Sequence, residues 1–288
     1  MSTVSLPVER ISDTAFLTAL YRAMESERPD AHFRDPHARV LAGARGEQLS
    51  KKIPEGISVA RGCAVRTCII DELVLRIVRE NRVDTLLNLG AGLDTRPYRL
   101  ALPASLHWIE GDQRDVLTYK TGKLAGVQPN CLLESVPVEL TDATVIQKFL
   151  RRIGAKAQEG VVLTEGLLVY MTEEQVASLA RALYTQPRLR WWVSDLTSPI
   201  ALTLLQKILT ETTPGDEGRM QFAPREGEEF FRQYGWEAVE FHSLIEAGQR
   251  LDRGGLPQQV RAQLSAEQWE ILRRMSGCVV LKRLDSGP

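Results

Sequence analysis

The chain has 288 residues, 43% of them hydrophobic and 25% charged, with a formal net charge of −1. That balance fits a soluble globular protein with a core of useful size, and the total charge gives no pull toward nucleic acid or an anionic membrane. Four scattered cysteines without a Cys-x-x-Cys pair, no secretory signal and no bilayer-length apolar run exclude a zinc site and a membrane span and lead us to expect a cytoplasmic protein without metal.

Residues 12–80 read as helical. "SDTAFLTALYRAMESERP" opens on a Ser12/Asp13 capping signal and ends before Pro29. The polar connection "RPDAHFRDPHARVLAGARG" holds a short helix, and "GISVARGCAVRTCIIDELVLRIVREN" is a longer proline-free helical stretch. From Val83 the pattern changes to short apolar runs with helical patterns between them. The predicted strands are Thr85–Leu89, Leu106–Glu110, Cys131–Val138, Val161–Glu165, Arg190–Leu196, Trp236–His242 and Cys278–Arg283. Helices are predicted near 96–102, 112–125, 143–154, 172–185, 198–211, 224–234 and 265–275. Such alternation implies crossover connections and an open, doubly wound, mostly parallel α/β sheet of seven strands. The glycine- and proline-rich "TTPGDEGRMQFAPREG" at 212–227 is the best candidate for a mobile loop, and no internal repeat is visible.

The stretch "TLLNLGAGLDTRPYRL" reads as a strand that ends in a glycine loop and opens a helix. Gly90 and Gly92 let backbone approach a ligand closely, Asp94 or Thr95 can cap the helix, and Pro97 suits its first turn. A dinucleotide fingerprint needs a third glycine at position 95, where this chain has Thr95. Asp94 in the same turn would repel a pyrophosphate. A ligand with a positive end fits better, and S-adenosyl-L-methionine carries an ammonium, a sulfonium and a carboxylate but no phosphate.

Three further positions suit such a ligand. Asp112 follows Gly92 by 20 residues at the end of the second strand, where an acid accepts from both ribose hydroxyls. The alternative for Asp112 is a helix N-cap, and Glu110 and Asp115 compete for the ribose. Arg66 shares a helix face with Ile69, Ile70 and Leu73, so its charge requires an anionic partner. That partner is either a ligand carboxylate or an internal acid. Glu165 ends an apolar strand at the ligand edge, where it could meet an ammonium or the substrate. Thr172 with Glu174 and Gln175 reads as the cap of the following helix, and Tyr170 stands beside it.

"NLGAGLDTRPYRL", "TEGLLVYMTEEQV" and "RAMESERPDAHFRDPHARVLAG" resemble the leucine carboxyl methyltransferase family, nearest to its bacterial members grouped with polyketide O-methyltransferases. The resemblance runs from about Thr14 to the last strand. It implies a class I methyltransferase fold, Rossmann-like, with a helical N-terminal cap over about residues 1–82 and a cofactor-binding core over 83–288, in a single domain. The implied cofactor is S-adenosyl-L-methionine. Arg66 matches the family's arginine near the cofactor carboxylate, Gly90 its glycine loop, Asp112 its ribose acid and Glu165 the acid of the fourth strand. Glu139 and Leu140 fall where the family has Asp-Leu beside the adenine. Glu139 is longer than the usual aspartate, and Leu140 offers a backbone N–H.

The implied reaction is O-methylation of a carboxyl or hydroxyl group on a small, polyketide-like molecule, with no nucleic-acid partner. A carboxylate acceptor is ionised at neutral pH and needs no strong base. Asp195 is either a base or a structural acid, the four histidines form no triad, and no catalytic residue is assigned. The acceptor pocket is expected from the N-terminal helices and the 198–227 region, with Phe222 its clearest aromatic. The competing readings are a catalytically silent cofactor-binding protein and a nicotinamide-dependent oxidoreductase, against which Thr95 speaks. Sequence leaves the acceptor and the oligomeric state open.

Overall fold

Apolar residues spaced for extended chain place seven strands in one sheet. The computed structural model describes residues 13–53, 56–210 and 220–285. The strands are β1 Thr85–Leu89, β2 His107–Asp112, β3 Leu132–Pro137, β4 Gly160–Thr164, β5 Leu189–Thr197, β6 Trp236–Ser243 and β7 Ser276–Arg283. Their spatial order is β3-β2-β1-β4-β5-β7-β6. β7 runs antiparallel to both neighbours, and every other pairing is parallel. The chain winds outward in two directions from β1 and β4, so their carboxyl ends form the switch point at which open α/β sheets bind ligands.

Eleven α-helices surround the sheet among the described residues: α1 Asp13–Ser26, α2 Ala38–Ser50, α3 Gly56–Glu80, α4 Arg96–Arg99, α5 Arg114–Lys123, α6 Ala143–Gly154, α7 Glu173–Tyr184, α8 Pro199–Thr210, α9 Leu244–Arg250, α10 Gln258–Gln263 and α11 Ala266–Arg273. Strand side chains alternate between faces. Leu87, Leu89, Ile109, Val162 and Trp192 pack with residues of α6 and α7, while Leu86, Trp108, Val161, Leu163 and Val193 pack with residues of α3 and α9. β1 and β4 are buried along their whole length, as central strands covered on both sides must be. A third cluster joins Phe16 and Leu20 of α1, Leu41 and Leu49 of α2 and Val116 of α5. With Leu93 it seats the N-terminal helices against α5 and the turn that follows β1.

All seven predicted strands form, with ends shifted by at most two residues. α2 is kinked at Gly43, whose φ of 53° and ψ of −165° leave the helical region. The Tyr119 hydroxyl donates to the nearby Leu41 carbonyl at 2.9 Å. α4 is shorter than expected. Leu100 is already extended, and Leu102 precedes Pro103, which disfavours helix. Residues 227–234 form a 3-10 helix rather than an α-helix, and α9 and α10 add to the predicted helices.

Part of the expected mobile loop is fixed: the Gln221 and Phe222 amides bond the Val169 carbonyl at 2.7 and 3.1 Å. Its residues 212–219, like Ser12, lie outside the described residues. Among the described residues no helix is long and apolar enough to cross a membrane, and no three potential metal ligands cluster. All four cysteines are buried and unpaired with one another.

Candidate functional site

β1 ends at Leu89, and the chain turns sharply through Gly90 and Gly92, whose φ values are 67° and 49°. Such values cost a side-chain-bearing residue strain that glycine avoids. At Gly90 a Cβ would also lie 2.9 Å from Cδ1 of Leu167. The turn is tied to the next strand twice: the Gly90 amide bonds the Gly111 carbonyl at 2.8 Å, and the Gly92 amide bonds Oδ2 of Asp112 at 2.6 Å.

Asp112 is not the cap of α5, because Gln113 holds that position. The other Asp112 oxygen accepts from the Gln113 amide at 2.6 Å. A carboxylate has about four lone-pair sites, so the two amides leave acceptor capacity on both oxygens for a diol. Burial pushes the Asp112 carboxyl above the usual range, and the two amides offset this only in part. Glu110 does not compete for the ligand. It is 1% exposed and bonded to Lys120 at 2.6 Å in a buried ion pair.

Glu165 and Arg66 meet at the carboxyl end of β4. Arg66 Nε donates to Glu165 Oε1 at 2.9 Å and Nη1 to Asp195 Oδ2 at 3.0 Å. The Gly166 amide donates to the other Asp195 oxygen at 2.7 Å. Of the two partners expected for Arg66, the internal acid is thus present. Its Nη2 has no acceptor among the described residues. The Tyr170 hydroxyl bonds Thr14 of α1, and burial raises its pKa.

A chain of ion pairs lies behind these groups, and sequence reasoning missed most of it. Arg22 of α1 donates to Asp35 at 2.9 Å and to the Leu93 carbonyl at 2.6 Å. Asp35 also takes the Thr95 hydroxyl at 2.6 Å. Asp71 of α3 accepts from Arg96 at 2.7 Å and from Arg99 at 2.6 and 2.8 Å. Asp94 is buried and accepts from Asn88 at 2.9 Å and from Arg96 at 3.1 Å. It is held inside the turn by Asn88 and by an Arg96 that it shares with Asp71 and Glu165.

Glu139 is exposed, and its carboxylate turns back on its own loop, accepting from the Thr141 hydroxyl at 2.7 Å. Leu140 packs partly buried against the core. It borders a cavity of about 180 Å³ between the starts of α6 and α7, along with Thr141, Ile146, Glu174 and Leu179. None of the other predicted site residues lines that cavity. Phe222, expected in the acceptor pocket, is 3% exposed and stacks edge-on against Phe230 at 5.1 Å, so it belongs to the core.

The residues present fit a nucleoside with an amino-acid end. The tight glycine turn admits close backbone approach, Asp112 offers acceptors for a diol, and Glu165 and Arg66 offer one charge of each sign. The model of the leucine carboxyl methyltransferase family matches residues 15–184, more than half of the chain. A Mycobacteroides abscessus protein named "Putative S-adenosyl-L-methionine-dependent methyltransferase" is 35% identical over 145 residues, which is 47% of each chain, so the match spans about half of that relative. A Streptomyces coelicolor protein of the same description is 30% identical over 254 residues, 81% of this chain and 85% of its own. Two crystal structures share the fold. One is a putative methyltransferase from Thermobifida fusca, with TM-score 0.58 and 16% identity over 98% of this chain and 100% of that one. The other is a DUF574 family protein from Streptomyces avermitilis, with TM-score 0.59 and 13% identity over 92% and 96%. The chain belongs to the leucine carboxyl methyltransferase family.

Proposed function

We propose that the protein is an O-methyltransferase acting on a carboxylate or hydroxyl oxygen of a small, polyketide-like molecule. The observation that carries this reading is the Gly92–Asp112 tie at 2.6 Å, with the Arg66–Glu165 pair at 2.9 Å at the same edge of the sheet. In this reading Asp112 holds the ribose hydroxyls of S-adenosyl-L-methionine. Glu165 receives the ammonium, Arg66 the carboxylate, and the Leu140 backbone N–H the adenine. Glu139, engaged by Thr141, serves its own loop. When bound, the cofactor supplies a methyl group already activated by its sulfonium.

The protein's task is then to align the acceptor and exclude water. Asp195, the acid that sequence offers as a base, is held by Arg66 and the Gly166 amide. That hold supports a structural role for it and an acceptor that is ionised from the start, a carboxylate. The test is calorimetric titration with S-adenosyl-L-methionine and S-adenosylhomocysteine, followed by labelled methyl transfer to a panel of carboxylic acids and phenols. Saturable binding and label in the carboxylic acids are expected. No binding of either compound would overturn the reading, and label confined to phenols would overturn the carboxylate preference.

A further inference from the structure

Three carboxylates from separate parts of the chain converge on one guanidinium. The Arg96 side chain is 2% exposed. Its Nε bonds Asp71 of α3 at 2.7 Å, and its Nη1 bonds Asp94 of the glycine turn at 3.1 Å and Glu165 at 2.6 Å. Its backbone amide bonds Asp94 again at 2.9 Å. Nη2 is buried without a partner. Buried polar groups are normally satisfied, so the acids around this arginine, rather than its own best hydrogen bonding, dictate its orientation.

Glu165 is shared between two arginines. Oε2 takes Arg96 at 2.6 Å, and Oε1 takes Arg66 at 2.9 Å. Arg96 is fixed in turn by Asp71, which Arg99 grips with both terminal nitrogens. The order of hold is therefore Arg99, Asp71, Arg96, Glu165, Arg66. We infer that Arg96 is a positioning residue, holding Glu165 and through it Arg66 in the orientation that receives the amino-acid end of the cofactor. The inference rests on the proposed function in taking Glu165 and Arg66 as the groups that meet that end.

The test uses two calorimetric probes. S-adenosylhomocysteine has the amino-acid end, whereas methylthioadenosine keeps adenine and ribose but lacks it. Arg96→Lys preserves the charge but cannot span three carboxylates with a rigid fork. S-adenosylhomocysteine should bind about tenfold to a hundredfold more weakly, and methylthioadenosine within about twofold of wild type. Glu165→Gln should cost less affinity in the Arg96→Lys background than alone, because both changes act through one group. Equal weakening of both probes, or weakening of neither, would overturn the inference. Where Arg96→Lys does not fold, Asp71→Asn releases the guanidinium while leaving Arg96 in place. It should give the same one-sided loss at smaller amplitude, and a two-sided loss there would count against the inference equally. Wild-type protein that binds neither probe would overturn the cofactor reading itself.

Discussion

The amide of Gly92 and the carboxylate of Asp112, 20 residues apart, meet at 2.6 Å. This contact locks the first turn of the sheet onto the second strand, and in the proposed function the same carboxylate also takes the ribose. Asp112→Ala removes both roles. We expect S-adenosylhomocysteine affinity to fall by about 1–3 kcal/mol, the cost of losing charged hydrogen bonds, measured by calorimetry. Unchanged affinity would place the ribose elsewhere.

The protonation of Asp112 gives a second expectation. Burial raises its pKa, with the amides of Gly92 and Gln113 pulling the other way. A diol that donates to the carboxylate prefers the charged form and lowers the pKa in the complex. Affinity is then full above the free protein's pKa and falls as pH drops through it. Because that pKa is raised, the loss should begin at higher pH than an ordinary aspartate, near about 3.9, would produce. Titrations across mildly acidic pH check this, and an Asp112→Asn variant should show a flatter profile.

Gly90 tests the turn by itself. Its φ of 67° and the 2.9 Å approach of a Cβ to Leu167 mean that Gly90→Ala carries left-handed strain of about 1–2 kcal/mol, plus displacement of Leu167. Lower thermal stability and weaker cofactor binding are expected together. Gly62, inside α3, faces open space, with nothing within 4 Å of where an alanine methyl would sit. Gly62→Ala should therefore raise stability by about 0.5–1 kcal/mol and leave binding unchanged. The pair of variants separates backbone strain from a general intolerance of alanine.

The strands are legible in the sequence because a buried strand needs only a short apolar run between breakers, and Thr85–Leu89 and Gly160–Thr164 supply that locally. α9 also carries a local signal: Ser243 and Glu246 have capping-box spacing, and the Ser243 hydroxyl accepts from the Glu246 amide. The acids and glycines of the candidate site stand out as candidates because ligand chemistry limits which residue types can end those strands. The arginine lattice is not. Arg96 finds Asp71 across 25 residues and Glu165 across 69, and no local spacing encodes such a meeting. Asp94 joins the same network, and its contact with Arg96 depends on how α4 folds back. Phe222 suggests a pocket because it is the clearest aromatic in a segment left to cover the sheet edge, whereas aromatic packing against Phe230 and Phe231 decides its place.

The cap of α7 is a local feature with a local cost. Thr172 and Gln175 form a reciprocal capping box, so Thr172→Ala should destabilise the fold by about 1 kcal/mol, read from urea unfolding. Cofactor affinity should change little. Tyr170, two residues earlier, is held by Thr14 rather than by the cap.

Asp35 links the N-terminal helices to the glycine turn, and its protonation predicts how stability depends on pH. Burial works against its charge, but Arg22, the Thr95 hydroxyl and Arg99 outweigh burial and hold its pKa below the ordinary value. Glu165 is likewise held down, by Arg96 and Arg66 against burial. An acid whose pKa is lower folded than unfolded stabilises the fold fully above its unfolded value, and that contribution is lost as pH falls toward the folded value. Asp35→Asn leaves Arg22 and Arg99 short of a buried counter-charge, a loss of about 3–5 kcal/mol when one partner of a buried pair is removed. The gap between variant and wild type in urea unfolding should therefore be widest at neutral pH and should narrow below about pH 4, where the wild-type carboxylate also begins to lose its advantage. A gap that stays constant from neutral to acidic pH would show that Asp35 contributes by shape rather than by charge.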